Sequence, residues 1–111
     1  MTRRDDVITL RQMLDGVREI LEHTCGLTLE DVRENRIFEL ALYRLFVVVG
    51  AASSRVSPAV RDSHRAIQWG TLAQTGESLI QDYDRVDLAR IWRIVREDLP
   101  GLAATLEEAL Q

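Results

Sequence analysis

Between Asp5 and His23 apolar residues recur at Val7/Ile8, Leu10, Met13/Leu14, Val17 and Ile20/Leu21. That three-four spacing keeps one stripe of a helix apolar. Asp5 and Asp6 suit the positive end of its dipole, and Gly26 supplies a stop. Gly16 inside it costs about 1 kcal/mol relative to alanine, so it either marks a close approach by a neighbouring helix or is neutral. Thr28-Leu29-Glu30-Asp31 has the form of a capping box, opening a short helix that leads into a longer one. From Asn35 to about Arg55 the residues Ile37, Phe38, Leu40 to Leu42, Leu45, Phe46 and Val47 to Val49 leave almost no polar face. Such a helix must be covered on several sides, as the centre of a bundle or as a helix shared with a second subunit.

Arg44 interrupts that run. A buried arginine needs a carboxylate or several carbonyls, so the residue reads either as a structural ion pair or as a contact to RNA or a partner. Gly50-Ala51-Ala52-Ser53-Ser54 suits close backbone approach. Ser57-Pro58 reads as an N-cap followed by a first-turn proline, opening a short helix to about His64. After a loop ending at Trp69-Gly70, a helical pattern runs towards Tyr83, weakened by Gly76 and leaving the helix over Ile80 to Tyr83. Asp87 then caps a helix from Leu88 to Asp98 with Leu88, Ile91, Trp92 and Val95 inward, and Pro100 breaks it and starts the last helix to Leu110. No stretch alternates at period two. The pattern predicts one all-α domain over residues 1–111.

Composition narrows the partners. A net charge of −4 and a pI of about 5.1 provide no global field towards nucleic acid, so any RNA contact needs a local patch. Every basic residue is arginine, which favours fork-shaped contacts to carboxylate or phosphate unless it simply reflects composition bias. Cys25 is the single cysteine, which excludes a disulfide framework and fits a reducing cytoplasm. The N-terminal residues lack the apolar run of a signal peptide. The stretch Ile37 to Ala52 contains Glu39 and Arg44 and reads as too short and too charged to span a bilayer, hence no membrane role.

Gly76-Glu77-Ser78-Leu79-Ile80-Gln81-Asp82-Tyr83, followed by Asp84-Arg85, places an aromatic hydroxyl beside two carboxylates where one helix ends and the next begins. An active site belongs there. Metal chemistry is not expected: His23 and His64 have no second ligand at suitable spacing, and Asp82, Asp84 and Asp87 lack the glycine and the closing glutamate of a calcium loop. No strand precedes a glycine-rich phosphate loop, and no base is identified for a serine nucleophile. No cofactor is expected.

Trp69, Leu79-Ile80-Gln81-Asp82-Tyr83, Val86-Asp87-Leu88-Ala89-Arg90-Ile91-Trp92 and Glu97-Asp98-Leu99-Pro100 resemble the C-terminal half of the HepT-like proteins of the HEPN superfamily. Arg44-Leu45 and Gly50-Ala51-Ala52 fall on that family's central helix. The resemblance implies an up-and-down bundle of about five helices forming a two-fold dimer, a cytoplasmic partner of a minimal nucleotidyltransferase antitoxin of the MNT type, and metal-independent endoribonuclease activity. It also implies that the antitoxin silences the ribonuclease by transferring AMP to the motif tyrosine. Carried over residue by residue, the motif's arginine falls on Gly76, its polar neighbour on Glu77, its histidine on Gln81 and its tyrosine on Tyr83, while the glutamate of the Gly-Glu-Ala step falls on Ala51. Glutamine cannot titrate and glycine supplies no charge. The expectation is therefore a degenerate site in a module that binds the transferase and presents Tyr83, the alternative being a ribonuclease that works through Tyr83, Arg44 and Arg85. On a regular helix residues 81 and 83 point nearly oppositely, so the motif converges only if the helix ends there or a second subunit completes it.

Overall fold

The computed structural model describes residues 4–111. Its helices are α1 (Arg4–Thr24), α2 (Leu29–Arg33), α3 (Arg36–Arg55), α4 (Pro58–Ser63), α5 (Trp69–Asp82), α6 (Leu88–Arg93) and α7 (Leu99–Ala109). A 3₁₀ turn, Tyr83–Arg85, follows α5, and a π-helical segment, Ile94–Asp98, joins α6 to α7. No strand occurs among the described residues. The chain is all-α, as its periodicity requires. Four long helical rods, the last formed by residues 88–109, carry the core, and the two short helices α2 and α4 serve as connectors.

Local chemistry sets most boundaries. Thr28 accepts a hydrogen bond from the Asp31 amide at 3.1 Å while Asp31 accepts from the Thr28 amide at 2.8 Å, completing the capping box. Asn35 caps α3 through the Phe38 amide, Ser57 caps α4 through Val60, and Asp87 caps α6 through Ala89. Gly26 takes φ +78°, the left-handed conformation that ends α1 at little steric cost. The buried carboxylate of Asp6 accepts from both the amide and the hydroxyl of Ser57, at 2.9 and 2.7 Å, which ties the start of α1 to the end of α3.

The core is one cluster. Leu10, Met13, Val17 and Ile20 of α1 meet Leu42, Phe46, Val49 and Ala52 of α3, with Leu72 and Leu79 of α5 and Ile91, Val95, Leu99 and Leu106 of the last rod completing it. Gly16 does mark a close approach: a methyl group there would lie 2.8 Å from Val49 Cγ2. By length and composition Arg36–Arg55 could cross a membrane, yet one face of it is buried between α1 and α5 and works as a core helix.

Three expectations need correction. Pro100 does not separate two helices, because the path continues through Ile94–Asp98, where the Leu99 amide donates to the Ile94 carbonyl five residues back. The inward positions Ile91, Val95, Leu99 and Ala103 are spaced by four three times in succession. Each such step over-rotates an α-helix by about 40°, and a wider turn relieves that drift while accommodating the missing proline N–H. Second, α5 runs unbroken through Gly76 to Asp82 and leaves the helix only at the end of the expected Ile80 to Tyr83 window. Third, α3 is not enclosed by its own chain, which sets aside the bundle-centre alternative and leaves that of a helix shared with a second subunit. Ile37, Leu40, Ala41, Arg44, Val48 and Ala51 form a continuous stripe of exposed residues, with Ile37 83 % exposed. Arg44 therefore stands in solvent, and it forms no salt bridge among the described residues.

Candidate functional site

Helix α5 carries the expected motif positions 76, 77 and 81, with Tyr83 just beyond its end, and packing separates them. Gly76 is buried where α5 crosses α3: a methyl group on it would lie 3.3 Å from Gly50 Cα and 3.3 Å from the Phe46 carbonyl oxygen. Gly50, the opposite half of the crossing, is tighter still, with the Leu72 carbonyl oxygen 2.6 Å from where its Cβ would sit. The two helices touch backbone to backbone through a glycine pair. Position 76 thus contributes to packing and lacks any side chain to reach a ligand.

Glu77 and Gln81 lie one turn apart on the exposed side of the helix, where the Gln81 amide donates to the Glu77 carboxylate at 3.0 Å. Gln81 lines a cleft of about 490 Å³ between α5 and α6, together with Gln74, Ser78, Asp82, Arg85 and Arg90. Arg85 pairs with Asp82 at 3.6 Å, both exposed. In this solvated setting the pair contributes little to stability. The Asp82 carboxyl is pushed up from its usual range, first by desolvation and then by the Asp84 carboxylate beside it.

At Asp82 the chain leaves α geometry, with φ −155° and ψ 52°, and Tyr83 opens the 3₁₀ turn. Tyr83 is 47 % exposed. Its ring faces the start of α3, where the Arg36 guanidinium lies 5.7 Å from the ring centroid. Arg36 also pairs with Glu39 at 3.5 Å, and Glu39 accepts from the Tyr43 hydroxyl at 2.7 Å. Burial and the hydrogen bond to Glu39 push the Tyr43 hydroxyl well above the ordinary tyrosine range. The resulting chain runs from Tyr83 through Arg36 and Glu39 to a buried Tyr43. Arg36 escapes a reading of the sequence because no local pattern links it to Tyr83, and only the α3–α5 packing brings them together.

Within this chain the expected motif positions do not converge. Gly76 is in the helix crossing, Glu77 and Gln81 are bonded to each other, and Tyr83 sits under Arg36. Arg44 lies apart from Arg85 as well, in a groove of about 420 Å³ between α1 and α3 that Glu19, His23, Phe38 and Leu45 also line. Among the described residues no cluster of histidine, cysteine, aspartate or glutamate could hold a metal ion.

An all-α bundle with a tyrosine at the end of its third long rod, just before a capped helix carrying Trp92, defines the class. Residues 13–109 match the family model described as ribonuclease HepT-like, and the chain belongs to this family of the HEPN superfamily. Among curated relatives it is 27 % identical to "Probable ribonuclease HepT" of Thermococcus cleftensis, over 89 % of this chain and 90 % of that one. It is 24 % identical to "Putative RNase MJ1380" of Methanocaldococcus jannaschii, over 96 % and 98 % respectively. It is 29 % identical to "Gamma-glutamylcyclotransferase and putative RNase MJ0434" of the same organism, over 90 % of this chain but only 45 % of that longer relative. No solved structure matches the chain.

Proposed function

We propose that this member of a ribonuclease family is a dimeric, cytoplasmic module with a degenerate nuclease site, which binds a minimal nucleotidyltransferase and presents Tyr83 to it for AMP transfer. The observation that carries the reading is the fate of the motif positions. Metal-independent RNA cleavage needs a group to move the 2′-hydroxyl proton and a cation to stabilise the phosphate. Position 81 holds an amide bonded to Glu77, and position 76 holds a glycine locked in a helix crossing. Loss of an acid-base residue typically costs about 10²–10⁴ in rate, and loss of a charge stabiliser about another 10²–10³. Tyr83, by contrast, is half-exposed and reachable by a second protein.

The stripe from Ile37 to Ala51 supports self-association. It is apolar apart from Arg44, it runs along the central helix, and a second copy of the same stripe would cover it in an isologous contact. Ile80 of α5, 62 % exposed, adds to the uncovered apolar surface. A second reading, an active endoribonuclease with a rearranged site, is favoured by one observation: a cation, Arg36, does lie beside Tyr83.

Two measurements separate them. Purified protein incubated with cellular RNA should leave it intact, whereas cleavage that vanishes in Tyr83→Phe overturns the degenerate reading. After co-expression with a minimal nucleotidyltransferase, mass spectrometry should find AMP on Tyr83. A co-purifying, active transferase that leaves Tyr83 unmodified refutes the acceptor role.

A further inference from the structure

Position 76 supplies no charge, yet the tyrosine does not lack a guanidinium. We infer that Arg36 holds the phosphate group of whatever ligand is brought to Tyr83. The inference rests on the reading of Tyr83 as the reactive position. It deepens that reading by assigning the phosphate contact to a residue of α3, outside the motif.

The geometry leaves Arg36 free to do this. The Arg36 guanidinium stands 5.7 Å from the Tyr83 ring centroid and carries five N–H donors in its plane. Glu39 engages a single nitrogen, Nη1, at 3.5 Å, and Glu39 is itself satisfied by the Tyr43 hydroxyl at 2.7 Å. The Arg36 side chain is more than half exposed. Donors therefore remain for the paired contact that arginine makes to phosphate. Arg36 is also the first residue of the 20-residue helix α3, so the positive end of that helix dipole acts in the same sense.

The surrounding charges make the contribution of Arg36 decisive. Three carboxylates, Asp82, Asp84 and Glu39, lie near Tyr83 in sequence or through Arg36 itself, and Arg85 answers only Asp82, at 3.6 Å. Arg33 is engaged by Glu30 at 3.4 Å. Without Arg36 this neighbourhood repels an anion. The competing location for phosphate is the α5–α6 cleft with Arg85 and Arg90.

A nucleoside monophosphate and an RNA backbone both present the required phosphate oxygens. The test titrates arginine-labelled full-length protein with AMP and, separately, with a uridine hexanucleotide, following the arginine Nε–H and tyrosine ring signals by NMR. The expected result is that Arg36 and Tyr83 respond together. Arg36→Gln should weaken binding by about tenfold or more, with helicity unchanged. Arg36→Lys, which keeps the charge without the fork, should retain part of the affinity. A response to AMP alone marks a nucleotide as the source, and a response to both marks any backbone phosphate. Movement of Arg85 and Arg90 with Arg36 silent, Arg36→Gln binding as tightly as the parent, or no binding of either ligand at millimolar concentration would each overturn the assignment. Failure to co-purify with a transferase sinks the partner reading alone and leaves this titration's outcome standing.

Discussion

Gly76, in the middle of α5, and Tyr83, just beyond its C-terminal end, are seven residues apart, and their surroundings could hardly differ more. Gly76 is enclosed by the backbone of α3, within 3.3 Å of Gly50 Cα and the Phe46 carbonyl measured from an added methyl. Tyr83 is half-exposed, at a point where Asp82 has already left helical dihedrals. The middle of α5 holds the bundle together, while the turn that follows the helix faces solvent. Substitutions should therefore sort cleanly between the two.

Gly50→Ala should have the largest effect. Its methyl would sit 2.6 Å from the Leu72 carbonyl oxygen, so α3 and α5 must separate, at or above the upper end of about 1–3 kcal/mol for overpacking. Thermal unfolding should show a fall of about 4 °C for each kcal/mol. Gly76→Ala meets backbone only at 3.3 Å and gains about 1 kcal/mol of helix propensity, so its net cost should be clearly smaller. If Gly76→Ala proves the more damaging, the crossing is not organised around Gly50 as described. Gly76→Arg should destabilise by about 1–3 kcal/mol, since the side chain beyond Cβ needs room that a backbone-to-backbone crossing does not have. Placing arginine and histidine together at 76 and 81 should consequently lower the melting temperature before it confers any nuclease activity.

The two tyrosines sharpen the contrast further. Tyr43 is buried at 4 % exposure and donates to Glu39, so Tyr43→Phe should cost about 0.5–1.5 kcal/mol. Its hydroxyl pKa is raised in the fold above the ordinary value of about 10. A raised folded pKa means that this stabilisation is complete below pH 10 and is lost as pH rises beyond it. Alkaline unfolding curves should therefore flatten above pH 10 in Tyr43→Phe. Tyr83→Phe should change stability by no more than about 0.5 kcal/mol while abolishing any modification. A large loss of stability there would mean that Tyr83 is a packing residue after all.

Where the chain announced its own structure, it did so through local chemistry. The Thr28/Asp31 box, the Ser57 and Asp87 caps and the left-handed Gly26 each depend on residues within one turn, and each stands where the sequence places it. Periodicity also located the core stripes of α1 and of the last rod. It could not distinguish an apolar face covered by this chain from one left open, which is why Arg44 reads as buried and is in fact exposed. Pro100 misleads for a related reason, because the rule that proline ends a helix assumes α geometry on both sides. The break at Asp82–Tyr83, where α5 gives way to a 3₁₀ turn, was legible in the sequence. Arg36 was not, since its relation to Tyr83 is created by the crossing of α3 and α5 and by no motif.

The π-helical turn at Ile94–Asp98 has a further consequence. A turn closed five residues back stores one residue more than an α turn needs. Length can therefore be withdrawn from it. With Pro100→Ala removing the steric objection to α geometry, a single-residue deletion inside the segment should be absorbed, leaving Leu99, Ala103 and Leu106 against α1. The same deletion in the middle of α7 would turn the residues beyond it by about 100° and pull Leu106 out of the core. The C-terminal rod thus carries a slip joint, placed just upstream of the stretch whose orientation the bundle depends on.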